Sequence, residues 1–194
     1  MVNLKRTRED ILSSVIELIH HQGFQSTGLK ELFAASNTSS GSFYNYFQSK
    51  NELAHALIDY KWSQIKAVII EPAQQISDPI AQVFDMIDRL EAKHQSEPDC
   101  GGCFLGNLIV DLAKHDPSFQ EHLIQVFDAW QAAIAQSLQA GKSALKPEIN
   151  PVLLAEQVLT QIEGVLLMSR LYNQPARLKR SFDMVRQTVQ SALR

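Results

Sequence analysis

Apolar residues recur at spacings of three and four along almost the whole chain, and the strict alternation of a half-buried strand is nearly absent. With only eight glycines and seven prolines in 194 residues to interrupt that period, the chain is expected to be all-α. Hydrophobic residues make up 45%, ample for a core, while a charged fraction of 20% is too low for a disordered chain. No apolar h-region follows the first ten residues, and the unbroken apolar runs, such as 165–168, are far shorter than a bilayer span. A soluble, cytoplasmic protein that does not enter a membrane is expected.

The punctuation of this period predicts about nine helices. Ile11, Val15, Leu18 and Ile19 form one face of a first helix over Lys5–His21, with Thr7 and Asp10 as its start signal and Gly23 as its end. His20 and His21 then lie at its negative C-terminal end, where a favourable interaction with the helix dipole is their expected role. Thr27 is expected to cap a second helix that buries Leu29, Leu32 and Phe33. Asn37 occupies a turn, Ser39 caps a short third helix, and Ser49 caps a fourth that runs from Lys50 to a stop at Pro72. Ile80 to Leu90, Phe104 to Leu112 and Phe119 to Leu138 mark the fifth, sixth and seventh. Asn150-Pro151 opens the eighth, and Leu178 to Leu193 mark the ninth.

Between Thr27 and Lys50, a short helix carrying Ser40, Ser42, Tyr44 and Asn45 follows an apolar helix across a tight turn. A polar helix held by an apolar one is the arrangement by which a helix-turn-helix places side chains in a DNA groove. Charge supports this weakly. Residues 1–50 hold five Lys/Arg against four Asp/Glu, whereas residues 51–194 hold thirteen against seventeen, so the small positive excess lies at the N-terminal end. The expected organisation is a DNA-binding domain over residues 1–50, a connecting fourth helix over 50–71, and a helical effector-binding and dimerisation domain within 51–194. The eighth and ninth helices read as apolar on more than one face, which suggests a four-helix homodimer interface.

Gly41, Phe43, Tyr44, Tyr46, Phe47, Ser49, Lys50 and Leu53 closely resemble the G-[ST]-[LF]-Y-x-[YH]-F-x-[SN]-K-x-x-L pattern of TetR-family repressors. The resemblance implies an all-helical homodimer that binds double-stranded, palindromic operator DNA and leaves it when a small ligand, here unknown, enters the C-terminal domain. Carried over by position, it places Ser39, Ser40, Ser42 and Asn45 at base edges or nearby phosphates. It places Tyr44 at a phosphate, and Thr27 and Lys50 on the backbone to either side. Phe43 and Phe47 become core wedges, and Tyr46 fits either role. The chain departs from the pattern at Ser40, often Lys in relatives and then a phosphate contact, and at Thr38, where a buried Val is usual.

Cys100 and Cys103, the only cysteines, stand either side of two glycines before the sixth helix. A dithiol redox catalyst lacks its usual βαβ context. A zinc site with His94, His115 or His122 departs from the common ligand spacing. A plain buried cysteine remains open, and so does a thiol sensor in which the helix N-terminus lowers the thiol pKa of Cys103. Gly102 to Leu108 resembles a stretch in one branch of the same family, some of whose members respond to electrophiles or oxidants. The effector pocket is expected among helices five to eight, near Phe84, Phe104, Phe127, Trp130 and Met168, and should favour an apolar or aromatic ligand. No catalytic carboxylate pair, Ser/His/Asp set, phosphate loop or metal motif is present, so neither an enzyme nor a resident cofactor is expected. The alternatives are a helical thiol-dependent redox enzyme using Cys100 and Cys103, and a purely structural helical dimer.

Overall fold

Local capping chemistry sets the ends of most helices. The computed structural model describes residues 6–96 and 101–194, so Lys5 and Cys100 lie outside the described residues. In α1 (Arg8–Gln22) the Thr7 hydroxyl accepts from the Asp10 N–H at 3.1 Å, and the Asp10 carboxylate accepts from the Thr7 N–H at 2.8 Å. Gly23, at φ 84°, ends the helix. The short α2 (Leu29–Ala35) and α3 (Ser40–Tyr44) follow, joined through Asn37 in the left-handed region at φ 49°. Ser49 caps α4 by accepting from the Glu52 N–H at 3.0 Å.

Helix α4 ends at Pro72 to within one residue. It runs Lys50–Ile65, widens into a π-helical turn at Lys66–Ile70 and closes with Glu71–Ala73. Proline has no N–H to donate to the carbonyl four residues back, and its ring crowds that carbonyl. Just before it the Glu71 N–H reaches Lys66 O, one residue further back than in an α-helix. The wider turn precedes Pro72, and the helix ends one residue beyond it at Ala73.

The remaining helices are α5 (Pro79–Gln95), α6 (Phe104–Leu112), α7 (Pro117–Ala140), α8 (Pro151–Tyr172) and α9 (Pro175–Ala192). Four begin with a proline at their first position, where the missing N–H costs nothing. Among the described residues no strand forms, and the nearest feature is an isolated bridge between Leu145 and Leu193. The architecture is all-α.

The C-terminal core is built where α8 packs between α7 and α9, with α5 crossing both α7 and α9. Trp130, Ile134, Val158, Ile162, Leu166 and Phe182 are buried there. Helix α8 is the only described helix long and apolar enough to cross a membrane by length and composition, yet one of its faces is packed into this core. Its other face exposes Val152, Leu153, Leu167, Met168, Leu171 and Tyr172. Helix α9 departs from the expectation of a second apolar face. Leu178, Phe182, Val185 and Val189 all point into the domain, and Met184 is its one exposed large hydrophobe.

Candidate nucleic-acid interface and the cavity behind it

The helix-turn-helix stands on an aromatic wedge. Phe43 and Phe47 are fully buried with ring centres 5.4 Å apart, and Phe33 meets Phe43 edge-on at 5.1 Å. Leu32 and Leu53 complete that small core. The turn carries its own polar fastening. The Ser36 hydroxyl donates to Leu32 O at 2.6 Å and accepts from the Thr38 hydroxyl at 2.8 Å. Thr38 thus has its hydroxyl satisfied where a valine would need no partner.

On the outer face the Ser39 hydroxyl accepts from the Ser42 N–H at 3.2 Å and caps α3. Ser39, Ser40, Gly41 and Asn45 are exposed, Ser42 is half-buried, and Tyr44 is 42% exposed with its ring edge-on to Phe33 and Phe43. Tyr46 is a structural residue, for its hydroxyl donates to Arg6 O and ties α1 to the turn after α3.

Two residues expected on this face turn inward. Thr27 is fully buried and does not cap α2. Its hydroxyl donates to Gly23 O at 2.7 Å, while Gly28 takes the N-cap position and its N–H donates to Glu31 Oε2 at 2.7 Å. The Lys50 ammonium donates to Phe24 O at 2.7 Å and lies 4.6 Å from the centre of the Phe24 ring. Burial lowers its pKa, against the pull of Asp111 and Glu31. Both side chains close the loop between α1 and α2, a role that depends on where that loop folds back and has no signature in the local sequence.

The same loop joins the head to α6. The Phe24 N–H donates to Asp111 Oδ2 at 2.7 Å. His20 Nε2 lies 3.1 Å from Gly102 O, and because a carbonyl only accepts, Nε2 must carry the proton. The His20 ring also meets Phe104 edge-on at 5.7 Å. His20 therefore serves as a contact between domains, beyond its place at the end of α1. The Asn107 side chain donates to Gly101 O at 3.0 Å and accepts from Arg170 at 2.7 Å, which extends the link to α8.

Behind this joint lies a cavity of about 290 Å³. Its floor is formed by Ile65, Ile69, Leu90, Leu105, Trp130 and Leu166, and Cys103 opens onto it. Of the five residues expected to line a pocket, Phe104 and Trp130 do so. Phe84 and Phe127 are half-buried elsewhere in the core, and Met168 is exposed on a shallow groove between α8 and α9. Helical periodicity identifies inward-facing aromatics, but a cavity forms only where neighbouring helices fail to close on one another.

Cys103 caps α6, its sulfur accepting from the Gly106 N–H at 3.4 Å. The expected lowering of its pKa does not follow. Burial drives the thiol well above its ordinary value, the negative charge of Glu163 adds to this, and the amides of α6 only partly oppose them. A thiolate here would have lost its water and would face a carboxylate. Among the described residues no cluster of three or more His, Cys, Asp or Glu is arranged to hold a metal ion.

Residues 11–57 match the profile of bacterial regulatory proteins of the tetR family, and residues 79–185 match that of the tetracyclin repressor-like C-terminal domain. The chain is 30% identical over 187 residues to an HTH-type transcriptional regulator in the lacX 3′ region of Lactococcus lactis, covering 95% of this chain and 93% of that one. It is 25% identical to the transcriptional repressor NemR of Escherichia coli K12, over 91% of this chain and 87% of NemR. A TetR regulator from Chloroflexus aurantiacus shares the fold with a TM-score of 0.85 at 21% identity, over 96% of each chain. The reduced form of Escherichia coli NemR does so with a TM-score of 0.82 at 19% identity, over 93% of this chain and 95% of that one. The chain belongs to the TetR family of DNA-binding transcriptional regulators. It is a regulator and not an enzyme.

Proposed function

We propose that this protein is a cytoplasmic repressor that binds a palindromic operator as a homodimer and releases it when its C-terminal domain is occupied or modified. The head (residues 1–50) reads DNA, α4 connects, and the rest of the chain senses and dimerises. Ser39, Ser40, Ser42 and Asn45 meet base edges and nearby phosphates, and Tyr44 meets a phosphate. Their exposure on one face above the buried aromatic wedge supports this assignment. Thr27 and Lys50 hold the loop that positions that face. The row of apolar side chains exposed on α8, with Met184 of α9 beside it, supports pairing across a two-fold axis.

One observation carries the regulatory part: the segment Gly101–Leu112 both opens onto the cavity and bonds the head, through His20 with Gly102 and Phe24 with Asp111. A ligand filling the cavity, or a group added to Cys103, displaces the start of α6 and with it the end of α1. That one relative has been solved in what is described as a reduced form supports a thiol-based signal. The test is a titration of the purified protein against the intergenic DNA beside its own gene, before and after an oxidant or N-ethylmaleimide. Release of the unsubstituted protein and retention of Cys103→Ser is the expected result. Equal release of both proteins leaves a non-covalent ligand as the signal.

A further inference from the structure

Glu163 interrupts the inner side of α8, between Ile162 and Leu166, and reaches the head of α6. Its carboxyl and the Cys103 side chain meet over Gly106, near enough for each to shift the other's proton affinity. Gly106 makes room for this: a Cβ there would lie 2.4 Å from Glu163 Oε2 and 3.3 Å from Cys103 Cβ. Glu163 Oε1 is buried and accepts no hydrogen bond. A carboxylate stripped of water with an unused acceptor oxygen is poorly stabilised as an anion. Burial accordingly raises its pKa to about 7, partly offset by the Cys103 side chain and the charge of His94.

The pair is surrounded by His94 of α5, whose charge favours the carboxylate, and by Arg170 two turns along α8. Across the cavity stand His20 of α1, Lys61 of α4 and Lys93 of α5. Cys103, held as a neutral thiol, can attack an electrophile only if its proton leaves as the new bond forms, and Glu163 is a base packed beside it.

We propose that Glu163 is the proton acceptor that lets the buried Cys103 thiol add to a compact electrophile with an electron-poor double bond, admitted through the cavity. The proposal deepens the reading of Cys103 as a sensor and rests on it. In the step, sulfur bonds to the β-carbon while its proton passes to Glu163. The π pair moves to the α-carbon and onto the conjugated carbonyl oxygen. The proton then returns from Glu163 to the α-carbon, leaving a thioether and a carboxylate. Every atom of thiol and electrophile is kept, and no oxidant or reductant is consumed. A volume of about 290 Å³ over a floor of Ile65, Ile69, Leu90 and Trp130, with Lys61 and Lys93 also lining it, suits a small molecule with an apolar body and a polar end such as a carbonyl.

The test uses the full chain with Cys100→Ser, which leaves Cys103 as the only thiol, and N-ethylmaleimide as the probe. The rate of mass increase is followed from about pH 5.5 to 9. The expected rate rises through an inflection near the Glu163 pKa and flattens above it. Glu163→Gln should react at least about tenfold more slowly at pH 8 and lose the inflection, while Glu163→Asp keeps it. If Glu163 acts only as a repelling charge, Glu163→Gln reacts as fast or faster, and the proposal is overturned. A rate in the parent protein that climbs with pH without inflection overturns it equally, independently of how well the variants fold. The rate is read without DNA, so alkylated protein that keeps its operator refutes the sensor reading and leaves the acceptor role standing.

Discussion

The Nδ1 atoms of His55 and His122 lie 2.9 Å apart across the seam between α4 and α7. One of the two must be bare to accept. His122 Nε2 lies 2.9 Å from Asp59 Oδ1 and so carries a proton, while at most one of the two facing Nδ1 atoms can carry one. The His55 ring stacks on Phe119, and its Nε2 lies 3.3 Å from the Ser118 hydroxyl. The pair has room for one positive charge. A second would set two N–H groups against each other, in the helix that carries the DNA-binding head.

The first prediction concerns this seam. Burial lowers the His55 pKa, a positive charge on the facing His122 would lower it further, and Asp116 and Asp59 oppose them. A histidine with a depressed folded pKa favours folding fully above its unfolded value and loses that contribution as pH falls below about 6.5. His55→Phe keeps a ring against Phe119 but cannot titrate. Its melting temperature should therefore gain on the unsubstituted protein as pH drops from about 7.5 to 5.5. Parallel melting curves at all pH values would refute a depressed His55 pKa.

Glu163 has the opposite sign. Its folded pKa of about 7 exceeds the unfolded value, so the fold holds an extra proton and loses stability as pH rises from about 4.5 through 7. Glu163→Gln should be stabilising by about 1–3 kcal/mol at pH 8, with little effect at pH 5. Urea unfolding at the two pH values measures the difference, and an equal shift at both would count against a titrating Glu163.

The DNA face should divide by role. Tyr44→Phe should weaken specific and random DNA alike and leave melting unchanged. Asn45→Ala or Ser42→Ala should change sequence preference by about 1–3 kcal/mol if a base contact is lost. Lys50→Ala should lower stability by about 1–2 kcal/mol, because it removes a charged donor from Phe24 O. Fluorescence anisotropy against salt, run beside thermal melting, separates the three. An unchanged melting temperature in Lys50→Ala would return that residue to the phosphate backbone.

Assembly should depend on α8 more than on α9. Leu171 and Leu167 are 72% and 59% exposed, so a charge at either costs an isolated chain little but would be buried in a dimer. Light scattering at micromolar concentration should show Leu171→Asp as a folded monomer. A Leu171→Asp protein that remains dimeric would place the interface elsewhere.

The joint itself can be tested at Gly102, whose φ of 77° disfavours a side chain. A Cβ there would lie 2.7 Å from Arg170 Cδ and 3.1 Å from Leu166 O. Gly102→Ala should cost about 1–3 kcal/mol and weaken operator binding, since Gly102 O is the acceptor for His20. Full operator affinity in this variant would show that the head does not depend on the joint.

Nearest-neighbour chemistry determined much of this protein. Apolar spacing, the Thr7–Asp10 box, the Ser39 and Ser49 caps, the left-handed Asn37 and the Phe43–Phe47 wedge all act within four residues. They are therefore legible as sequence, and so is the family pattern they build. Tertiary structure decided what distant segments do to one another. Helix α8 brings Glu163 to Cys103, and the resulting desolvation outweighs the helix N-terminus that by itself would lower the thiol pKa. The α1–α2 loop folds over Thr27 and Lys50 and takes both from the open face. The cavity exists only where α4 to α8 leave space between them. A cap or a turn is an energy of a few adjacent residues, whereas a proton's position in the core depends on every helix that excludes water from it.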